Sequence, residues 1–563
     1  MSSFRSPSAR ALLAAALAAG SPQMLTAQQE GHGTADQRHA AALGAIHFPN
    51  SGARAAQPAF LRGIALLHSF EYEDAAAALR EAQRADPRFA AAFWAEALTY
   101  SHVMWGEEDL NAARAALTRL GATPADRLAL ARLPGERSFG TAVEAMFGEG
   151  GQPARIRAFA EAARGWATAR PGDQEARAFA ALGSLWHMHY ARNDAEATSL
   201  GRQAAAHAQH LFDTSPRHPG GAHYLIHAYD SPATASYGLS AARAYAAIAP
   251  DAQHALHMPS HIFLALGKWD DMVTSNEKAW AASRAWTSRG GRPTSDNDWH
   301  SLNWLQYAYL QQGRWTAARA LVDTARKLTE DTRRAPANTK VDSAYVRVDV
   351  VYAFEQLAFR YGAETGRWDA WPADSTAIDW RDASLKPRTR TMAIWSVYQR
   401  AAAALLARGD TVPAAAALRA FRAAGTQAGP LAPRTAALLE ALVVQARGDT
   451  AATIAVLQSL QAEAVVARNR SMSPPQVLLV DEQLGTALLA ARRASDALLV
   501  FERALSVRPN RAAALIGLAR AKHAAGDDHG AGTACRQLAE IWHRADADLP
   551  ALKDLRRCLA HEE

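Results

Sequence analysis

Two ends of this chain carry matching sets of residues, identical at four of five places, at the same internal spacing, and that constrains the fold more than any other feature. Gly63, Ala75, Leu79, Ala82 and Pro87 stand at the intervals of Gly485, Ala497, Phe501, Ala504 and Pro509. Small residues on two successive segments let helices approach closely. A bulky residue fills the space between them, and proline ends the second helix. The unit is 34 residues long, because Ala531 and Cys535 repeat the places of Ala497 and Phe501. Alanine-rich segments with apolar residues at helical spacing fill the chain from about residue 56 onward, with almost no alternating, β-branched pattern to compete. Turns such as Leu266-Gly267-Lys268-Trp269, Gln312-Gly313-Arg314-Trp315, Arg408-Gly409-Asp410 and Arg447-Gly448-Asp449 punctuate it. Their spacings are not all 34, so some helices exceed the unit. The pattern predicts an all-α chain, an α-solenoid of antiparallel helix pairs that grows by stacking and starts no new core.

These offsets, with Leu484-Gly485 opening the C-terminal unit, resemble the tetratricopeptide repeat family. The resemblance covers most of the chain, strongly at Gly63–Pro87 and Leu484–Pro509 and loosely elsewhere. It implies a superhelix whose first helices line a concave groove. The expected organisation is a signal peptide at 1–27, an N-terminal extension at 28–55, one array at 56–361, an irregular connection at 362–390 and a second array at 391–563. The connection is rich in tryptophan, aspartate and proline (Trp368, Trp371, Pro372, Trp380, Pro387), and its tryptophans favour a packed loop.

Arg5 and Arg10, the apolar run Ala11–Ala19 and the small residues before Gln28 have the layout of a secretory signal, with cleavage expected after Ala27. That run is far shorter than the ~20 residues of a transmembrane helix, so the expectation is an exported protein, periplasmic or secreted, with no transmembrane segment. A net charge of +6 over 563 residues is not the dense basic stripe of a nucleic-acid binder. Cys535 and Cys558 fall on neighbouring C-terminal helices, as one disulfide or as two packing thiols, and the repeat register favours packing for Cys535.

Histidines carry the functional signal. Six of the 20 fall between His218 and His261, in His218-Pro-Gly-Gly-Ala-His223-Tyr-Leu-Ile-His227-Ala-Tyr-Asp230 and His254-Ala-Leu-His257-Met-Pro-Ser-His261. His223/His227 and His257/His261 each stand at i and i+4, on one helix face. His223 to His257 and His227 to His261 are both 34 residues, so the pairs share a register in successive units. The family resemblance puts that register in the groove, with His254 and His300 at an earlier position of their helices and His68 and His102 continuing the lining. The two strings resemble a group of exported bacterial tetratricopeptide proteins, which implies fold and export but no reaction.

Packed helices lie ~8–10 Å apart, so two such pairs offer up to four imidazoles to one small volume, a ligand set suited to zinc, copper or iron. His223, His227, His254, His257 and His261 are the expected ligands, with His300 able to complete a second position or a second ion. Asp230, three residues after His227, is the candidate to orient that ring, or else a turn residue; His218, His68 and His102 are further groove candidates. Pro259 either starts a helix or kinks one beside His257 and His261. Copying of one repeat would also duplicate the pairs without any metal, leaving a polar groove for a peptide, protein or small ligand, or simple packing.

The chain has no phosphate-cradling GxxxxGK[ST] loop, no GxGxxG after a strand, no GxSxG elbow, no HExxH and no EF-hand loop. A nucleotide cofactor and a nucleophilic hydrolase are therefore not expected. Two functions follow: a scaffold whose groove binds a ligand or partner through the histidine cluster, with or without a metal ion, or a histidine-ligated metalloenzyme working as Lewis acid or redox centre.

Overall fold

The computed structural model describes residues 42–334, 344–371, 380–381, 387–424, 431–463 and 472–560. The expected signal peptide and the start of the extension lie outside them. Helix follows helix, each packed on the next, and the fold is an all-α solenoid of antiparallel pairs. In the first unit Gln57–His68 packs on Tyr72–Ala85, with Gly63 against the Leu79 side chain. In the C-terminal unit Val480–Ala490 packs on Ala494–Val507, with Phe501 filling the gap beside Gly485 and Gly517. The strands among the described residues are two short pieces, Ser101–His102 and Glu107–Glu108, which form a small hairpin between repeats. No described helix is long and apolar enough to cross a membrane.

The mid-unit turns at Gly267 and Gly313 share one chemistry. At Gly267 and Gly313 the backbone turns left-handed (φ 63° and 68°), and the next residue's N–H reaches back to Phe263 O and Tyr309 O, closing the helix end. The first unit makes the same turn with Phe70 at φ 57°, Glu71 N–H reaching Leu66 O. A left-handed non-glycine residue costs about 1–2 kcal/mol, and the C-terminal unit makes the same turn with Arg492 at φ 58°.

Those turns also seat the far end of the chain. Trp269 Nε1 donates to Asn510 O at 2.7 Å, Trp542 Nε1 donates to Gln311 O at 2.9 Å, and Asp546 N–H donates to Gly313 O at 3.1 Å. A Cβ on Gly267 would stand 2.2 Å from Pro509 O. The C-terminal units therefore fold back onto the units that carry the histidine pairs, a contact the repeat pattern does not encode.

Helix Ala344–Thr365 feeds both hydrophobic cores, Phe354 and Leu357 into the first and Phe359 into the second. Beyond it, Trp368 covers Gly362, Trp371 lies against Phe359, and buried Trp380 packs on Phe421. Cys535 and Cys558 are joined in a disulfide between helices Asp528–Ile541 and Ala551–Ala560.

Close packing at the repeat glycines makes a direct check. A Cβ on Gly485 would meet the Phe501 ring at 2.5 Å, whereas Gly165, exposed in helix Gln152–Ala169, has open space around it. Gly485→Ala is expected to destabilise the chain by roughly 1–3 kcal/mol and Gly165→Ala to stabilise it by about 0.5–1 kcal/mol, as read from thermal midpoints.

Candidate metal centre

His223 and His227 lie on helix Pro219–Ala228, capped by His218, whose Nδ1 accepts from Gly220 N–H. The second pair spans a break: helix Gln253–His257 ends, and a new helix, Pro259–Ala265, starts at Pro259. Proline there is a helix start, where its missing N–H costs nothing. His261 is thereby held one short helix away from His257, with the Nε2 atoms 3.3 Å apart.

The two pairs do not merge into one four-histidine set. Each is completed by a third imidazole: His254 joins His223 and His227, and His300, exposed on helix Trp299–Gln311, joins His257 and His261. Within each group one nitrogen per ring lies within 4.8 Å of the others. The groups are neighbours, with ring centroids 6.4 Å apart for His227–His261 and 6.5 Å for His254–His257.

Proton placement decides what these nitrogens can do. His223 Nδ1 lies 2.6 Å from the carbonyl oxygen of His68, which can only accept. Its proton is therefore on Nδ1, and Nε2 carries a lone pair. His227 Nε2 and His254 Nε2 approach that lone pair at 3.1 and 3.2 Å. In the second group, His257 Nδ1 donates to Asn276 Oδ1 at 2.7 Å; the Asn276 amide is oriented by its own Nδ2–H bond to Met272 O. His261 Nδ1 donates to Asp230 Oδ2 at 2.7 Å. With both rings neutral, their Nε2 atoms present lone pairs to each other at 3.3 Å, which is repulsive unless a proton or a metal cation lies between them. Nitrogens bound to one ion at ~2.0–2.1 Å are separated by about 2.9 to 3.4 Å, the spacing seen. Asp230 therefore orients His261 of the next unit, a partner that the i+3 spacing to His227 did not indicate.

Burial and neighbouring imidazoles disfavour the charged form of four of these rings. His223 and His254 are pushed well below the usual imidazole range, His227 to about 4 and His257 to about 3, in each case chiefly by burial. Neutral imidazole is the form that binds metal.

A third group, His68, Glu175 and His218, is fully buried but chemically closed. His218 Nδ1 accepts from Gly220 N–H, so its Nε2–H donates to Glu175 Oε1 at 3.1 Å. His68 Nε2–H donates to Glu175 Oε2 at 2.8 Å, and its Nδ1 accepts from the Tyr224 hydroxyl at 2.7 Å. Burial alone would raise the Glu175 carboxyl. The two imidazoles outweigh it and hold the carboxyl at about 2. No lone pairs converge there; the group fixes His68, whose carbonyl holds His223. His218 and His68 are supports, not ligands. His102 joins neither group: it sits on the small hairpin, stacked on Tyr72 at 4.2 Å, with Nε2 bonded to Thr99 O.

Aromatic rings wall the site. Phe70, the left-handed residue of the first turn, lies 4.4 Å from His223, 5.7 Å from His227 and 5.5 Å from His254. Trp304 packs on all three rings of the second group, nearest His261 at 4.3 Å. Trp105, partly exposed on the hairpin, stands 5.8 Å from His254. Glu71 accepts the His254 backbone N–H at 2.8 Å, and burial raises its carboxyl to about 7. Phe70, Glu71, Glu175 and Asn276 escaped the sequence reading. Of these, Phe70 had a signal, since it replaces the glycine of the Gly267 and Gly313 turns.

Fold and site together define an all-α solenoid enclosing two adjacent three-histidine groups. No protein-family model and no curated protein matches the chain. Among solved structures it is similar to that titled "Structure of Naa15/Naa10 bound to HypK-THB", at 12% identity over 90% of this chain and 74% of that one, with a TM-score of 0.22. At that score the likeness carries no argument about function.

The depressed imidazoles have a measurable consequence. Unfolded histidines take up protons near pH 6.5, while folded His257 and His227 wait until about pH 3 and 4. In that window the unfolded state binds more protons, so falling pH favours unfolding by about 1.4 kcal/mol per pH unit for each such group. Metal-free protein is expected to lose urea stability as pH drops from 6.5 toward 4, and His257→Gln to show a shallower slope.

Proposed function

We propose that this chain is a metalloprotein in which His223, His227 and His254 hold one divalent transition-metal ion and His257, His261 and His300 hold a second. The supporting observation is the second pair, where Nδ1 protons committed to Asn276 and Asp230 leave two bare Nε2 lone pairs 3.3 Å apart. All six donors are imidazoles, which suits zinc, copper or iron and disfavours calcium and magnesium. Three protein ligands leave each ion an open coordination position, the arrangement of metal sites that bind or activate an exogenous molecule rather than only tie the fold together. The function this supports best is that of a metalloenzyme working as Lewis acid or redox centre, with the solenoid as its scaffold. The metal-free reading, a polar groove for a peptide or partner, fits less well: His223 and His257 are buried, not displayed on a surface.

Reading residues 1–27 as a signal peptide places this chemistry outside the cytosol. The Cys535–Cys558 disulfide agrees with an oxidising compartment.

Elemental analysis tests the ion count. Protein purified without chelators, or dialysed against zinc, is expected to hold two equivalents per chain. His254→Gln and His300→Gln should each hold one, and the double variant His227→Ala/His261→Ala none or nearly none. A wild-type chain that takes up no zinc, copper or iron overturns the proposal.

A further inference from the structure

Away from the histidines, the cleft where the C-terminal units meet helix Ala344–Thr365 contains a second built cavity, of about 330 Å³. Helices Val480–Ala490 and Ala512–Ala524 supply its other walls, with the segment at Pro475 to Leu479. Its lining is divided in character. Phe359, Leu489, Phe501 and Ile516 are apolar, while Arg360, Arg511, Arg520, Glu364 and Glu482 carry charge.

The charges do not balance. Arg511, buried, takes both carboxylates: its Nε and Nη2 donate to Glu482 at 2.7 and 3.0 Å, and Nη2 lies 2.7 Å from Glu364. Its Nη1 is buried with no hydrogen-bond partner. Arg360, only 3% exposed, has no carboxylate in contact: its N–H groups donate to Asn303 O and Oδ1, Gln306 Oε1 and Pro475 O, all neutral acceptors. Both guanidiniums lie against the Tyr307 ring, at 5.7 and 5.5 Å. Arg520 stands exposed in the same lining. Three cations thus face two anions: Arg360 has no carboxylate in direct contact and shares the field of Glu364 with Arg511, so the lining keeps an excess of one positive charge. Burial accordingly lowers the Arg360 guanidinium to about 10.

We propose that this cavity binds a small organic monocarboxylate, its carboxylate directed to Arg360 and the unpartnered Nη1 of Arg511 and its apolar body to Phe359, Leu489 and Ile516. A single negative charge matches the excess of one. Glu364 and Glu482 in the same lining repel a phosphate dianion, and the volume lies at the small end of ligand pockets. The site is independent of the metal centre and would be filled with or without it.

Isothermal titration calorimetry on the full chain, with hexanoate, hexanamide and hexylammonium as probes, tests the proposal. Hexanoate should bind saturably and at least tenfold more tightly than hexanamide, with no measurable hexylammonium binding. Affinity should rise from acetate through butyrate to hexanoate as the body lengthens. Leu489→Trp, which fills the cavity, should abolish binding. Arg520→Gln, at an exposed position that leaves folding intact, should weaken it about threefold or more. Hexanamide or hexylammonium binding as well as hexanoate overturns the proposal. So does unchanged hexanoate affinity in either variant, or the absence of saturable heat from every carboxylate.

Discussion

The hydrogen bond from His223 Nδ1 to the carbonyl of His68 is the interaction on which the rest of the site depends. Helix Gln57–His68 ends at His68, and helix ends leave carbonyls without helical partners. One of these takes the His223 proton, which turns the ring's other nitrogen into a lone pair facing His227 and His254. The negative end of the helix dipole at the same point favours positive charge nearby. Around this bond the first unit is specialised. His68 is anchored through Glu175 and Tyr224, and Phe70 accepts a left-handed backbone so that its ring can pack on three imidazoles.

The same principle, with different partners, repeats one unit later. Asn276 and Asp230 do for His257 and His261 what the His68 carbonyl does for His223. Duplication of a repeat accounts for the 34-residue offset of the pairs, but the orienting partners are not duplicates of one another. A carbonyl, an amide and a carboxylate reached the same proton assignment from three places in the chain.

Much of this was legible in the sequence, because repeats turn spacing into geometry. The all-α solenoid follows from the Gly63 and Gly485 sets, and the pairing of His223 with His227 and of His257 with His261 from helical periodicity. The division into two groups did not follow: it depends on where the helix breaks at Pro259 and on which ring His254 and His300 approach. The i+3 spacing points Asp230 to His227, the sequence-local choice, whereas the packing of successive units brings it to His261. Glu175 and Asn276 lie 43 residues from His218 and 19 from His257, with no periodic relation to mark them. The docking of Asn510 and Trp542 onto the Gly267 and Gly313 turns is likewise a contact between distant units that a nearest-neighbour repeat does not specify.

X-ray absorption spectroscopy at the zinc edge, on protein loaded with two equivalents, reaches the central claim most directly, because it reads the donor set itself. The expected result is an average shell of three imidazole nitrogens per ion at ~2.0–2.1 Å, with outer-ring scattering from histidine, no sulfur, and one further light atom filling the open position. Zinc in an all-water shell, or a shell with one imidazole or none, would contradict it.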